Sequence, residues 1–224
     1  MTTSITTVKE NEGLREKRII APLRFGLVQP NLYRGSYPQP HSVEFLKRLG
    51  LKSIVSLTPE PLQIPEVIQF ANENSIKLIH IECGEAKSKS KKKRGVPVQH
   101  DVAQQAVELM INADVAPMYI HCLNGSQVTC LVIACLRKLS FWSMASIAEE
   151  FLRYSELEAA DEGFIEKFRA EISVPPSTVP WMWKGLSKTG VVRNHPTLKI
   201  SETPKEQKEY KEANEAPESS EPVQ

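Results

Sequence analysis

The sequence predicts an α/β fold with a mostly parallel central sheet flanked by helices. Three observations carry this. Short apolar runs alternate with stretches of helical periodicity between Ser42 and Ile172, the alternation that builds parallel sheets. The run Thr129–Lys138 is apolar nearly all round, which suits a buried helix. Immediately before it, Pro117–Thr129 reads as a strand, a loop and a helix start.

The elements follow in order. Ser42–Leu49 carries apolar residues at 43, 45, 46 and 49 and stops at Gly50, a short helix with a glycine end. Ser53–Leu57 is a strand. Ile64–Asn74 has apolar residues at 64, 67, 68 and 71 and starts a helix at Pro65. Ile76–Ile81 is a strand. Val98–Ile111 repeats apolar residues at 102, 106, 109 and 110, a helix. Met118–Ile120 is a strand. Helices are expected over Thr129–Lys138, Ser143–Tyr154 and Phe164–Ile172.

Composition bounds the rest. The 224 residues include 41% hydrophobic and 25% charged side chains with a net charge of +1. That suits one domain and gives no basic excess of the kind that marks nucleic-acid binding. No apolar run is long enough to span a bilayer, and the polar N-terminus carries no secretory signal. The four cysteines, Cys83, Cys122, Cys130 and Cys135, show no zinc-site spacing. No metal or cofactor is expected, and the expected compartment is the cytoplasm. Residues 1–20 read as a flexible lead-in, 21–175 as the folded domain, 176–200 as an appendage and 201–224 as a disordered acidic tail. That tail holds three Lys and seven Glu, too few apolar groups to offset the entropy of ordering.

The chemistry concentrates in PMYIHCLNGSQVT, Pro117–Thr129. Ligands of open α/β sheets bind at the carboxyl ends of strands. A loop running into a helix N-terminus gathers free N–H groups and the positive end of the dipole, which suits a phosphate and favours the thiolate of a cysteine at its start.

This loop resembles the HC-x5-R-[ST] signature of cysteine-dependent phosphatases. His121-Cys122, Gly125 and Thr129 match it in register. Residues 21–38, 45–60 and 129–154 are further similar to the plant and fungal atypical dual-specificity phosphatases, and within them to the fungal oxidant-induced cell-cycle-arrest proteins. The resemblance spans about residues 21–172. It implies a cysteine-phosphatase fold and a phosphocysteine on Cys122. It also implies a phosphate cradle of Leu123, Asn124, Gly125, Ser126, Gln127, Val128 and Thr129. Phosphotyrosine-like groups and inositol pyrophosphates are the implied substrate classes. The implied partners are related phosphatase-like proteins and a phosphorylated small molecule or phosphoprotein.

One position departs from the pattern. The signature arginine is Val128. That arginine holds two phosphoryl oxygens bidentately, and valine has neither charge nor donor. The sequence therefore predicts an impaired phosphatase, or an inactive relative that binds sister proteins or a phosphorylated ligand. A rhodanese-like sulfur transferase fits less well, because the hydroxyl at 129 matches the phosphatase spacing.

Other residues stay open. Glu82, Glu85 and Asp101 are candidate general acids, none of them assigned. The run 87–94 holds six basic residues and reads as a solvated insertion, an anion-binding loop over the site, or a localisation or nucleic-acid patch. Arg34 reads as an addition to the same face or as an ion-pair partner. His121 is expected to orient the loop. Cys130 reads as core, with a resolving role against Cys122 as the alternative. Trp181 and Trp183 read as an anchor for the appendage or as a partner surface.

Overall fold

The computed structural model describes residues 19–83 and 95–202. The basic run 87–94, Glu85, the lead-in up to residue 18 and the tail from 203 lie outside the described residues.

Five strands form the main sheet: β1 (Gly26–Gln29), β2 (Leu32–Ser36), β3 (Ser53–Thr58), β4 (Lys77–Glu82) and β5 (Met118–Cys122). Their order is β1-β2-β5-β3-β4. Only the β1–β2 pair is antiparallel; β2–β5, β5–β3 and β3–β4 are parallel. The predicted α/β architecture is therefore present. Periodicity does not predict the β1–β2 hairpin. Its strands, GLVQ and LYRGS, carry no apolar–polar alternation.

β3 and β5 are buried along their whole length, as central strands covered on both faces must be. One face packs on α1 (Val43–Leu46) and α2 (Pro65–Glu73) through Ile54, Tyr119, Val67 and Phe70. Gly50, at φ 58°, ends the turn after α1 in the left-handed region, and Pro65 opens α2. The other face packs on α3 (His100–Met110), α4 (Gln127–Leu139), α5 (Met144–Leu152) and α6 (Ala159–Lys167).

The helix expected over Phe164–Ile172 is corrected. α6 starts earlier, where Glu158 and Asp161 form a capping box. It stops at Lys167 because Lys138 Nζ, from α4, takes the carbonyls of Ile165, Glu166 and Phe168. The chain then forms β6 (Glu171–Val174), which pairs in parallel with β7 (Lys199–Glu202) beyond α7 (Lys188–Asn194). A partner strand from distant sequence outweighs the helical spacing of 164, 165, 168 and 172.

The segment 176–200 is packed into the main core. Val179, Met182, Trp183, Val191, Leu198 and Ile200 belong to the apolar cluster of β5 and α4. Trp183 Nε1 donates to Leu139 O at 2.9 Å and Trp181 Nε1 to Pro30 O at 3.1 Å, so both tryptophans are anchors. β7 extends two residues into the segment read as tail.

Candidate functional site

The site lies where β5 ends and α4 begins, at the carboxyl edge of the sheet. Cys122 is the last residue of β5 and is 2% exposed. Residues 123–126 form the loop, and α4 starts at Gln127. Gly125 sits at φ 70°, and a Cβ there would lie 2.7 Å from Gly35 C and Ser36 N. Both the left-handed backbone and the tight approach to β2 require glycine.

The carbonyls of the loop are tied outward. Leu123 O accepts from Tyr37 N–H at 3.2 Å. Asn124 O accepts from Arg24 Nη1 at 3.0 Å, and Gly125 O from Arg34 Nη2 at 2.8 Å. On the Cys122 side, Asn124 Oδ1 accepts from Ser126 N–H at 3.1 Å and from Ser126 Oγ at 2.6 Å. The Cys122 thiol donates to the same oxygen at 3.7 Å. One side-chain oxygen of the loop thus meets the Ser126 N–H and hydroxyl and the Cys122 S–H together.

The other predicted residues fall as follows. Gln127 Nε2 donates to Asp161 Oδ1 at 2.7 Å and to Gly95 O at 3.2 Å, tying the start of α4 to α6. Val128 packs against the main apolar cluster. Thr129 is fully buried and its Oγ1 has no hydrogen-bond partner among the described residues. His121 is fully buried, with Nε2 2.9 Å from Ser56 Oγ. Burial pushes its pKa down to about 3, so the ring stays neutral; its Nδ1 lies 3.4 Å from Cys122 O, at the start of the loop. Asp101 Oδ1 accepts from Val102 N–H within its own helix start, and Glu82 is exposed at the end of β4.

Arg34 is not on the exposed face, and among the described residues it is in no ion pair. It is 1% exposed beneath the loop, and its guanidinium stacks 3.7 Å from the Tyr154 ring centroid. Nη2 reaches Cys130 Sγ at 3.1 Å; Nε and Nη1 have no hydrogen-bond partner among the described residues. Burial raises the Cys130 thiol despite the opposing Arg34 charge, so the pair is a cation beside a neutral thiol. Burial, with the Cys122 charge next in size, pushes Cys83 up to about 12. The sequence reading missed Arg24. It lies in the family-like segment 21–38, 100 residues from the carbonyl it holds, and nothing local marks its role.

Beside the loop is a cavity of about 270 Å3 lined by Tyr37, Thr58, Pro59, Glu60, Pro61, Gln63 and Leu123. Glu60 is its one charged lining residue. Among the described residues no His, Cys, Asp and Glu cluster could hold a metal ion. No described helix is long and apolar enough to cross a membrane.

A family model described as "Tyrosine phosphatase family" matches residues 19–187. The chain belongs to the tyrosine phosphatase family. It is 44% identical over 177 residues to the putative tyrosine-protein phosphatase OCA6 of Saccharomyces cerevisiae, covering 73% of this chain and 79% of that protein. It is 31% identical over 172 residues to inositol diphosphatase DSP4 of Arabidopsis thaliana, covering 73% and 83%. Among solved structures, the core catalytic domain of the S. cerevisiae PP-IP phosphatase SIW14 in complex with citrate is similar. It matches with a TM-score of 0.58 at 32% identity, over 67% of this chain and 88% of that one. The chain is thus a cysteine-phosphatase family member in sequence and fold.

Proposed function

We propose that the β5–α4 loop is a phosphate-monoester or pyrophosphate site in which Cys122 is the nucleophile, and that turnover is slow because Val128 stands at the arginine position. The observation that carries this is the loop itself. Cys122 faces the same Asn124 oxygen as the Ser126 N–H, at the positive end of the thirteen-residue α4.

In the proposed reaction, the Cys122 thiolate forms a bond to phosphorus while the bond from phosphorus to the leaving oxygen breaks. The leaving oxygen takes a proton. Water then attacks the phosphocysteine, inorganic phosphate departs and the thiolate returns. The loop N–H groups stabilise the equatorial oxygens. Removing a single neutral oxyanion donor typically costs about 10²–10³ in rate, and an absent charged, bidentate group costs at least as much.

The side cavity favours a phosphotyrosine-like group over a polyanion. Tyr37, Leu123, Pro59 and Pro61 suit an aromatic ring, and Glu60 repels extra phosphates. The inositol pyrophosphate alternative depends on the run 87–94. A binding role without turnover, to sister proteins or to a phosphorylated ligand, is the second reading; the Asn124 oxygen on the Ser126 N–H and Oγ supports slow or absent turnover. Related phosphatase-like chains are the proposed partners. Phe141, Trp142 and Met144, exposed at the α4–α5 turn, supply apolar surface for them. The cytoplasm is the proposed compartment, supported by four unpaired cysteines.

The test is hydrolysis of an aryl phosphate by the purified chain. Slow release of phosphate that disappears in Cys122→Ser is expected. Release that is unaffected by Cys122→Ser would remove Cys122 from the reaction.

A further inference from the structure

We infer that Arg24 and Arg34 are positioning residues that hold the anion cradle open from behind and supply the positive charge that position 128 lacks. The inference rests on the reading of the loop as a phosphate site.

A trans peptide is planar, with its C=O and the following N–H pointing in opposite directions. Three consecutive carbonyls of the loop are held by groups outside it. Tyr37 N–H holds Leu123 O, Arg24 holds Asn124 O, and Arg34 holds Gly125 O. The N–H groups of Asn124, Gly125 and Ser126 must then face the other way. The Ser126 N–H, opposite the carbonyl that Arg34 holds, meets Asn124 Oδ1, the oxygen that the Cys122 thiol also approaches. Two of the three ties are guanidinium groups, and charge-assisted bonds to them are shorter and stronger than neutral ones.

Arg34 adds a second, independent observation. It is 1% exposed, and two of its three nitrogens have no hydrogen-bond partner among the described residues. Its neighbour Cys130 is held neutral by burial. Among the described residues Arg34 has no ion-pair partner, and a buried cation without one is costly. An anion bound above Gly125 would be that partner, one peptide away. Arg24 is pinned for the same task. Its Nε donates to Tyr154 O at 3.1 Å, and its backbone sits at φ 54°. Both arginines come from the β1–β2 hairpin and its approach, so this segment forms the back wall of the site. Neither side chain touches the substrate; each acts through a peptide group.

The test measures inorganic phosphate affinity as protection of Cys122 in the full chain from iodoacetamide, read by mass spectrometry of the Cys122 peptide. Arg24→Met is expected to weaken protection by about ten-fold, the scale of a lost charge-assisted hydrogen bond. Arg24→Lys should retain most of the affinity, because it keeps the charge. Arg34→Met should weaken protection at least as much as Arg24→Met. If Arg34→Met fails to fold, the exposed Arg24 pair decides the matter. A merely structural role would lower the thermal midpoint of Arg24→Met and leave phosphate affinity below that midpoint unchanged; that result overturns the inference. Wild-type protection matched by both Met variants overturns it too, while the phosphate-site reading stands. No protection of the wild type by phosphate overturns that reading itself.

Discussion

At the residue scale, Asn124 and His121 divide the work of the loop. Asn124 Oδ1 accepts from the Ser126 N–H and Oγ that a phosphate oxygen would otherwise use. Asn124→Ala should therefore bind inorganic phosphate roughly five-fold more tightly in a calorimetric titration, the scale of one net hydrogen bond of about 1 kcal/mol. Equal or weaker binding would show that the side chain builds the cradle rather than fills it. His121 carries the pH dependence. Its folded pKa, about 3, lies below the unfolded value of 6.5. As pH falls below 6.5 the unfolded chain takes up the proton first, so stability contributed by the neutral ring declines until pH nears 3. The slope is about 1.4 kcal/mol per pH unit for one proton. Urea midpoints of His121→Gln should fall less steeply over that window than wild type. Parallel curves would contradict the assignment.

At the element scale, the strand–loop–helix unit was legible because its chemistry is local. The His-Cys pair, the glycine and the hydroxyl fall within nine residues, and α4 is apolar enough to be recognised as buried. Gly125 shows how tightly the unit depends on its neighbour. Gly125→Ala forces a Cβ into Gly35 and Ser36 backbone and a left-handed residue into strain costing about 1–3 kcal/mol. A thermal melt lowered on that scale, with phosphate protection of Cys122 lost, is the expected result. What the sequence hid is non-local. The carbonyl ties from Arg24 and Arg34 span 100 and 91 residues, and no periodicity encodes them. The helix expected to reach Ile172 failed for the same reason. Lys138 and β7 are both remote in sequence from the chain they redirect.

At the whole-molecule scale, the segment beyond residue 175 completes the core. Trp183 is 8% exposed and hydrogen-bonded to the end of α4. Trp183→Ala should cost about 3–5 kcal/mol in chemical denaturation, as large aromatic truncations do. A loss under 1 kcal/mol would mean that the segment only decorates the domain. The net charge of +1 conceals a similar division of labour. In the proposed site two arginines act from behind the loop, and Val128 stands where a front clamp on phosphate would be. The proposal is that Cys122 remains the nucleophile and that Val128, at the arginine position, is what slows turnover. The most direct measurement is kcat/KM for aryl phosphate hydrolysis by Val128→Arg against wild type. The account predicts a gain of about ten-fold or more, the scale of a restored oxyanion donor. Rapid wild-type turnover with no gain from Val128→Arg would contradict it.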